Sequence, residues 1–202
     1  EIKESYATAR YLFFLSQRNN GVLNPISEMT LYFDNLDYAM NGLYIGLCKT
    51  AYVRAFDVLD KVARIINVYF GIGDRRTSFW NTLAQKQARP EIAMAHNYSL
   101  FALTDICIDY FEKQGVDLKT IDARRNRITH DYLTVRLYSL QDHGDEAVGL
   151  DDFSSQTLDV LRLVKYAVLY AVSAVNLAER KEERGGAVGY VPIFSNPGQP
   201  FM

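Results

Sequence analysis

The chain has 202 residues, 49% of them hydrophobic and 23% charged, a composition that excludes a disordered or collagen-like polypeptide and makes one folded domain the expectation. A chain of this length buries about 70% of the surface its unfolded form exposes, so it needs no disulfide or structural metal to hold a core. Its formal net charge of -2 excludes a general polyanion binder, and any contact with nucleic acid must be local.

Residues 5 to 19 carry Tyr6, Ala9, Leu12 and Phe13 at helical spacing, and Asn-Asn-Gly at 19 to 21 stops them. A loop containing Pro25 follows. Leu36, Met40, Leu43, Leu47, Ala51, Ala55, Val58, Val62, Ile65 and Tyr69 then step by three or four. The spacing predicts one helix over 35 to 70, about 54 Å long at 1.5 Å per residue. Gly42 and Gly46 lie inside it, spaced as for a close-packing or a bending point. Close packing is favoured, because a glycine inside a helix costs up to about 1 kcal/mol against alanine and should have a compensating contact. FGIGD, at 70 to 74, ends the helix, and a less regular segment with the only tryptophan, Trp80, runs to Pro90.

Residues 97 to 114 read as a helix with Leu100, Leu103, Ile106 or Cys107, and Tyr110 on one side and Gly115 as its C-cap. The next helix starts near Asp117 or Thr120, both acceptable N-caps, and runs to about Leu133. TVRLYSL, at 134 to 140, is β-prone and suits a short extended segment. An acidic loop, QDHGDEAVGLDD, leads to a final helix from about Ser154 to Glu183. Its apolar run from Tyr166 to Ala178 is about 13 residues long and flanked by Lys165 and Arg180, short of the ~20 that cross a membrane, so it reads as a core helix. The Gly/Pro-rich stretch 185–202 reads as an irregular tail. Cys48 and Cys107, in apolar helical stretches without framework spacing, read as small buried hydrophobes in a reducing cytoplasm. No internal repeat and no alternation of strands with helices is visible, so the expectation is an all-α bundle over 1–184 with a long central helix pair. The chain starts at Glu1 inside what reads as helix, with no signal peptide in view, which predicts a piece of a longer protein.

The chemistry concentrates in RRNRITHDY, residues 124 to 132 of a chain with only three histidines. On an ideal helix of about 100° per residue, Ile128, Tyr132 and Val135 fall within about 40° of Ile121 and form the stripe facing the core. Arg125 falls inside that stripe, and because a guanidinium cannot be deprotonated to escape burial it must find an anion or several acceptors. Asn126 and His130 share a face turned roughly 140° to 180° away. Arg125 and His130 diverge by about 140° on a straight helix, so two copies related by a two-fold axis would aim both at one phosphate more easily than one copy. Cleavage of RNA through its own 2′-hydroxyl suits such a set. It needs a proton exchanger near neutral pH, for which histidine's pKa of ~6.5 is apt, and cationic donors on the phosphate oxygens, with no metal or cofactor.

RNRITH, Arg125 to His130, resembles the R-x4-6-H motif of the HEPN superfamily, including the asparagine that often follows the arginine. The match continues to Tyr132, giving the R-x4-H-x-Y form of HEPN toxins whose tyrosine can be modified by a partner antitoxin. ARYLFFLSQRNNG, and the long helix ahead of NVYFGIG, look most like the LA2681-like branch, which implies the C-terminal part of a longer protein. The resemblance implies a compact helical domain, commonly dimeric, and a metal-independent ribonuclease in antiphage defence or as a toxin, under an upstream regulatory domain or an antitoxin-like partner. It implies catalytic roles for Arg125 and His130, support from Asn126 and an auxiliary role for Tyr132. Tyr132 departs from that pattern in falling in the core stripe, which favours a structural role over modification.

Each of these residues also has a plainer reading. Arg125, Asn126 and His130 would make an ordinary polar helix surface if Arg125 paired with a neighbouring acid such as Asp122 or Asp131. His96 suits a loop or cap, and His143, among Asp142, Asp145, Glu146, Asp151 and Asp152, a solvated acidic loop whose spacing matches no metal motif. The many aromatic residues fall mostly at helical spacing and suit core packing better than base stacking. Lys119, Arg124, Arg127 and Arg136 would extend a basic strip along an RNA backbone, or serve solubility alone. A non-catalytic module that binds nucleotides or a protein partner is the rival function.

Overall fold

A computed structural model describes residues 1–18, 32–33, 39–72, 78–83, 90–113, 124–129, 133–137 and 147–183. The described elements are α1 (Ile2–Ser16), β1 (Tyr32–Phe33), β2 (Ala39–Asn41), α2 (Leu43–Phe70), α3 (Phe79–Leu83), α4 (Pro90–Met94), α5 (Tyr98–Lys113), β3 (Thr134–Arg136), β4 (Ala147–Gly149) and α7 (Leu150–Glu183). Residues 124–129 are helical and form α6.

The core is helical, and α2 and α7 are the expected long central pair. Their directions follow from side-chain contacts. Cys48 Sγ meets Thr157 Oγ1 at 3.6 Å near their starts, and the Tyr69 hydroxyl donates to Glu179 at 2.9 Å near their ends, so the two run parallel. Tyr52 packs between Phe56 and Phe153 at centroid distances of 5.0 and 5.4 Å, offset aromatic contacts of the favoured kind. α1 runs antiparallel to α2, with Lys61 bonded to Glu1 at 2.9 Å and to Ser5 at 3.0 Å. α5 runs antiparallel to α7: Ser99 and Ser173 share a hydrogen bond of 2.8 Å, while Tyr110, near the end of α5, lies within the field of Asp159.

Period-3.6 patterning accounts for this arrangement. Cys48, Ala51, Tyr52, Ala55, Val58, Leu59, Val62 and Ile66 are all buried on α2, three or four apart, the stripe that drives a helix onto a core. Both cysteines are buried, and burial pushes both thiols up from their ordinary pKa. The apolar run from Tyr166 to Ala178 is core on one side only: Ala167, Ala171 and Ala174 are buried, whereas Tyr166, Leu169 and Val172 are exposed. No described helix is long and apolar enough to cross a membrane.

Several local expectations need correction. The long helix begins at Leu43 rather than 35, because Ala39–Asn41 is a strand. Gly42 is the residue before the first helical position, in an ordinary extended conformation, and a Cβ on Gly46 would meet nothing within 4 Å, so close packing does not explain that glycine. The helix ends in a left-handed Gly71, φ 65°, after which the Ile72 amide donates to the Asn67 carbonyl at 3.1 Å. That bond closes the six-residue turn favoured by glycine in this place, and buried Ile72 adds its apolar contact. Residues 124–129 of the motif helix are helical and Thr134–Arg136 is the expected short extended segment, so Val135, though buried, faces the core from β3 and not from a helical stripe. The acidic segment contains β4, and Asp151 and Asp152 stand in the first turn of α7, where negative charge favours the helix N-terminus. Gly115, His143 and the tail from 184 onward lie outside the described residues.

The strands make one small sheet in chain order, β1-β2-β3-β4. β2 pairs antiparallel with β1 and β3, with Met40 opposite Val135; β3 and β4 are parallel, with Val135 opposite Val148. β2 leads into α2, β3 follows the motif segment and β4 leads into α7. The sheet therefore joins the starts of both long helices to the chain beyond the motif.

Candidate functional site

α6 lies against the two long helices. Its inward side carries Arg124, Arg125, Arg127 and Ile128, all half-buried, and its outer side carries Asn126 and Thr129, both exposed. Ile128 packs on the core. This division follows from about 100° per residue: positions 124, 125, 127 and 128 span the near side, and 126 and 129 the far side.

Arg125 does find anions, on a helix distant in sequence; Asp122 and Asp131 lie outside the described residues. One guanidinium nitrogen is 2.8 Å from Asp60 and the other 3.4 Å from Asp57, both on α2. Its carbon lies 5.9 Å from the centre of the Phe56 ring, within cation–π range. Asp60 also accepts the Phe79 amide at 3.2 Å, so it fastens the start of α3 as well as Arg125. Arg54 approaches Asp57 from the other side at 3.8 Å, from a more exposed position. Two arginines and two aspartates thus form a charge-balanced cluster along one face of α2.

The neighbouring cations are not balanced in this way. Arg124 donates to Gln156 of α7, a neutral partner. Its Nε, and Nη1 of Arg127, are buried without a hydrogen-bond acceptor among the described residues. A buried donor left unmade costs on the order of 1–3 kcal/mol, which makes both atoms places where an acceptor from outside would be stabilised. Lys49, on the second turn of α2, donates to the carbonyl of Leu133 at 2.6 Å, and burial holds its pKa below the ordinary lysine value. Arg124, Arg127 and Lys49 have no carboxylate partner among the described residues. Arg136 stands half-buried on β3.

His130, Tyr132 and Lys119 lie outside the described residues. Among the described ones, no group of three or more histidine, cysteine or acidic side chains could hold a metal ion. His96 has a left-handed backbone, φ 46°, in the turn before Asn97. Asn97 caps α5, its Oδ1 accepting the amides of Ser99 and Leu100 at 3.1 and 3.2 Å.

The family model for LA2681-like HEPN matches residues 1–178. The chain belongs to the LA2681-like HEPN family. Comparison with curated proteins and with solved structures gave no match. HEPN domains are helical bundles, and helices packed about α7, with a small sheet at one end, are such a bundle. Many members are ribonucleases, and they commonly dimerise.

Sequence reasoning did not find Asp57, Asp60, Lys49 or Gln156 at this HEPN site. Each is a common residue on a helix surface, 32 to 84 positions from its partner, and no local spacing marks it. One signal was available for the aspartates: a guanidinium in a core-facing stripe demands anions, and Asp57 and Asp60 are three apart, one turn of the long helix.

Proposed function

We propose that this HEPN domain is a metal-independent endoribonuclease acting as a homodimer in the cytoplasm. Two copies meet through the face that carries Asn126 and His130, so that Arg125 and His130 of each line a shared cleft. His130 takes the proton of the 2′-hydroxyl as that oxygen bonds to the adjacent phosphorus. The bond from phosphorus to the 5′-oxygen breaks, and the departing oxygen is protonated by the other histidine or by water. Arg125 stabilises the charge that builds on the phosphate oxygens, with Asn126 in support. The products are a 2′,3′-cyclic phosphate or its opened form and a 5′-hydroxyl. Arg124, Arg127 and Lys119 hold the RNA backbone, and Tyr132 is auxiliary. Antiphage defence or a toxin role, under an upstream domain or an antitoxin-like partner, is the setting that the family suggests.

The observation that carries this reading is the pair of buried guanidinium donors, on Arg124 and Arg127, that have no acceptor among the described residues. Phosphate oxygens supply what such donors need. Arg125 supports it too: two carboxylates fix its orientation, and about a quarter of the side chain, 27%, stays exposed.

A second reading draws on the same clamp. Asp57 and Asp60 offset the charge of Arg125, which suits a module that holds a nucleotide or protein partner without cleaving RNA. The experiment that separates the two is cleavage of a mixed, end-labelled RNA pool by wild-type protein and His130→Ala in EDTA, with product ends identified. Cutting that persists in chelator, ends in cyclic phosphate and disappears in the variant is the expected result. Folded dimers that leave the RNA intact favour the binding module, and activity abolished by EDTA and restored by a divalent ion contradicts the mechanism.

A further inference from the structure

Asp57 is shared by two arginines and held closely by neither. Its Oδ1 stands 3.4 Å from Nη2 of Arg125, and its Oδ2 stands 3.8 Å from Nη1 of Arg54. A charge-assisted contact that has closed measures about 2.7–2.9 Å. Asp60, one turn further along α2, has closed: it meets Nη1 of Arg125 at 2.8 Å and also accepts the Phe79 amide at 3.2 Å. Among the described residues Asp57 has no such backbone donor.

α7 supplies a matched comparison. Arg162 and Asp159 have the same three-residue spacing and nearly the same side-chain exposure, 64% and 36% against 59% and 35% for Arg54 and Asp57. That pair closes to 3.0 Å. In it the acid precedes the base, the favoured order on a helix, whereas Arg54 precedes its acid. Stability therefore gives little reason for Arg54 to stand beside Asp57. What Arg54 and Arg125 share is one anion position, which guanidinium groups from α2 and α6 approach from two sides.

We propose that Arg54 and Arg125 form a seat for one phosphodiester group of single-stranded RNA, and that the Asp57 carboxylate fills this seat until the RNA displaces it. A phosphodiester carries one negative charge on two non-bridging oxygens, as a carboxylate does on its two, and guanidinium forks suit both. Displacement costs little, because the contacts it breaks are long and screened by solvent. Asp60 keeps its hold on the other nitrogen of Arg125 throughout. The two aspartates therefore act in opposite senses: Asp60 orients the arginine, and Asp57 competes with its ligand. RNA suits the seat better than a lone nucleotide, because Arg124 and Arg127, with donors that have no acceptor among the described residues, stand on the same helix as Arg125 and suit neighbouring phosphates. RNA as the ligand rests on the nuclease reading; the seat itself requires no cleavage.

The test is binding of a single-stranded 2′-O-methyl RNA by the full chain in EDTA, a ligand whose missing 2′-hydroxyl separates affinity from cutting. Arg54→Gln should weaken binding about threefold or more and reduce the slope of log affinity against log salt by about 0.7, the loss of one phosphate contact. Asp57→Asn should tighten binding about threefold, and much less in the Arg54→Gln background, because the two act at one position. Arg162→Gln and Asp105→Asn, which remove exposed charges on α7 and α5, control for net charge and should change affinity less than about 1.5-fold. An Arg54→Gln effect no larger than that of Arg162→Gln overturns the seat. So does an Asp57→Asn variant that weakens binding, or that tightens it no more than Asp105→Asn. Should Asp57→Asn not fold, Asp57→Ser takes its place under the same criteria. A nucleoside monophosphate that displaces the RNA at equal concentration overturns RNA as the ligand. Cleavage of ordinary RNA is scored separately: the expected binding pattern without cutting ends the nuclease reading and leaves the seat, and cutting with affinity indifferent to Arg54 does the reverse. Wild-type protein that neither binds nor cuts ends both.

Discussion

Asn97 and Arg127 are both polar side chains turned inward, and the protein treats them in opposite ways. Asn97, 2% exposed, has each of its side-chain polar atoms bonded: Oδ1 accepts two amides of α5, and Nδ2 donates to the Ala174 carbonyl of α7 at 2.7 Å. Arg127 buries Nη1 with no acceptor among the described residues. The first arrangement recovers its desolvation cost inside the domain, joining α5 to α7. The second does not among the described residues, and a cost left unrecovered there is where a ligand has something to offer.

The contrast is open to attack at its structural pole first. Asn97→Ala removes the α5 cap and strands the Ala174 carbonyl, so unfolding in urea should show a loss of about 2–3 kcal/mol. A loss below about 0.5 kcal/mol would mean that the polar contact between α5 and α7 contributes little and that the contrast is overdrawn. Asp60→Asn comes next. It keeps an oxygen for the Phe79 amide but removes the negative charge facing Arg125, and because both side chains are about a quarter exposed, 26% and 27%, the expected loss is only about 1 kcal/mol.

Tyr110 sharpens the point by pH. Burial first, then the fields of Tyr52 and Asp159, raise its pKa above the ordinary 10.0, with Arg124 opposing. The native state therefore holds this proton after the unfolded state has released it, so the contribution is intact below pH 10 and is lost as pH rises further. Melting temperature should fall on the alkaline side of that value in wild type, and less steeply in Tyr110→Phe. Arg127→Met gives the smallest change in stability, within about 0.5 kcal/mol or slightly favourable, because it removes a donor with no acceptor among the described residues. Its effect belongs to binding: the slope of log affinity for single-stranded RNA against log salt should shrink by about 0.7 if one phosphate contact is lost. An unchanged slope would detach Arg127 from the RNA.

The long helices were legible because a period-3.6 stripe repeats over many turns; in α2 the run from Cys48 to Ile66 leaves little room for another reading. The same rule misled ahead of α2 and beyond the motif helix. Met40 and Val135 fit the helical count by chance, yet they pair with each other across β2 and β3. Strands of two or three residues are too short to display alternation. At the site, the outward placement of Asn126 and the demand of Arg125 for anions could be worked out from 100° per residue. Which anions answered that demand could not, since Asp57 lies 68 positions away and only the packing of α6 on α2 brings it near.

That packing also sets when the domain can be completed during synthesis. α6 rests on α2, made before it, and Arg124 reaches Gln156, which leaves the ribosome 32 residues later. β3, just beyond the motif, likewise waits for Ala147–Gly149 before its parallel partner exists. A nascent chain stalled between the motif and α7 therefore carries all of RRNRITHDY without the wall against which it is set. Because Tyr52 and Phe153, in contact in the finished core, are about a hundred positions apart, closure is a late, long-range event that leaves the side of α2 facing α7 uncovered until that helix arrives.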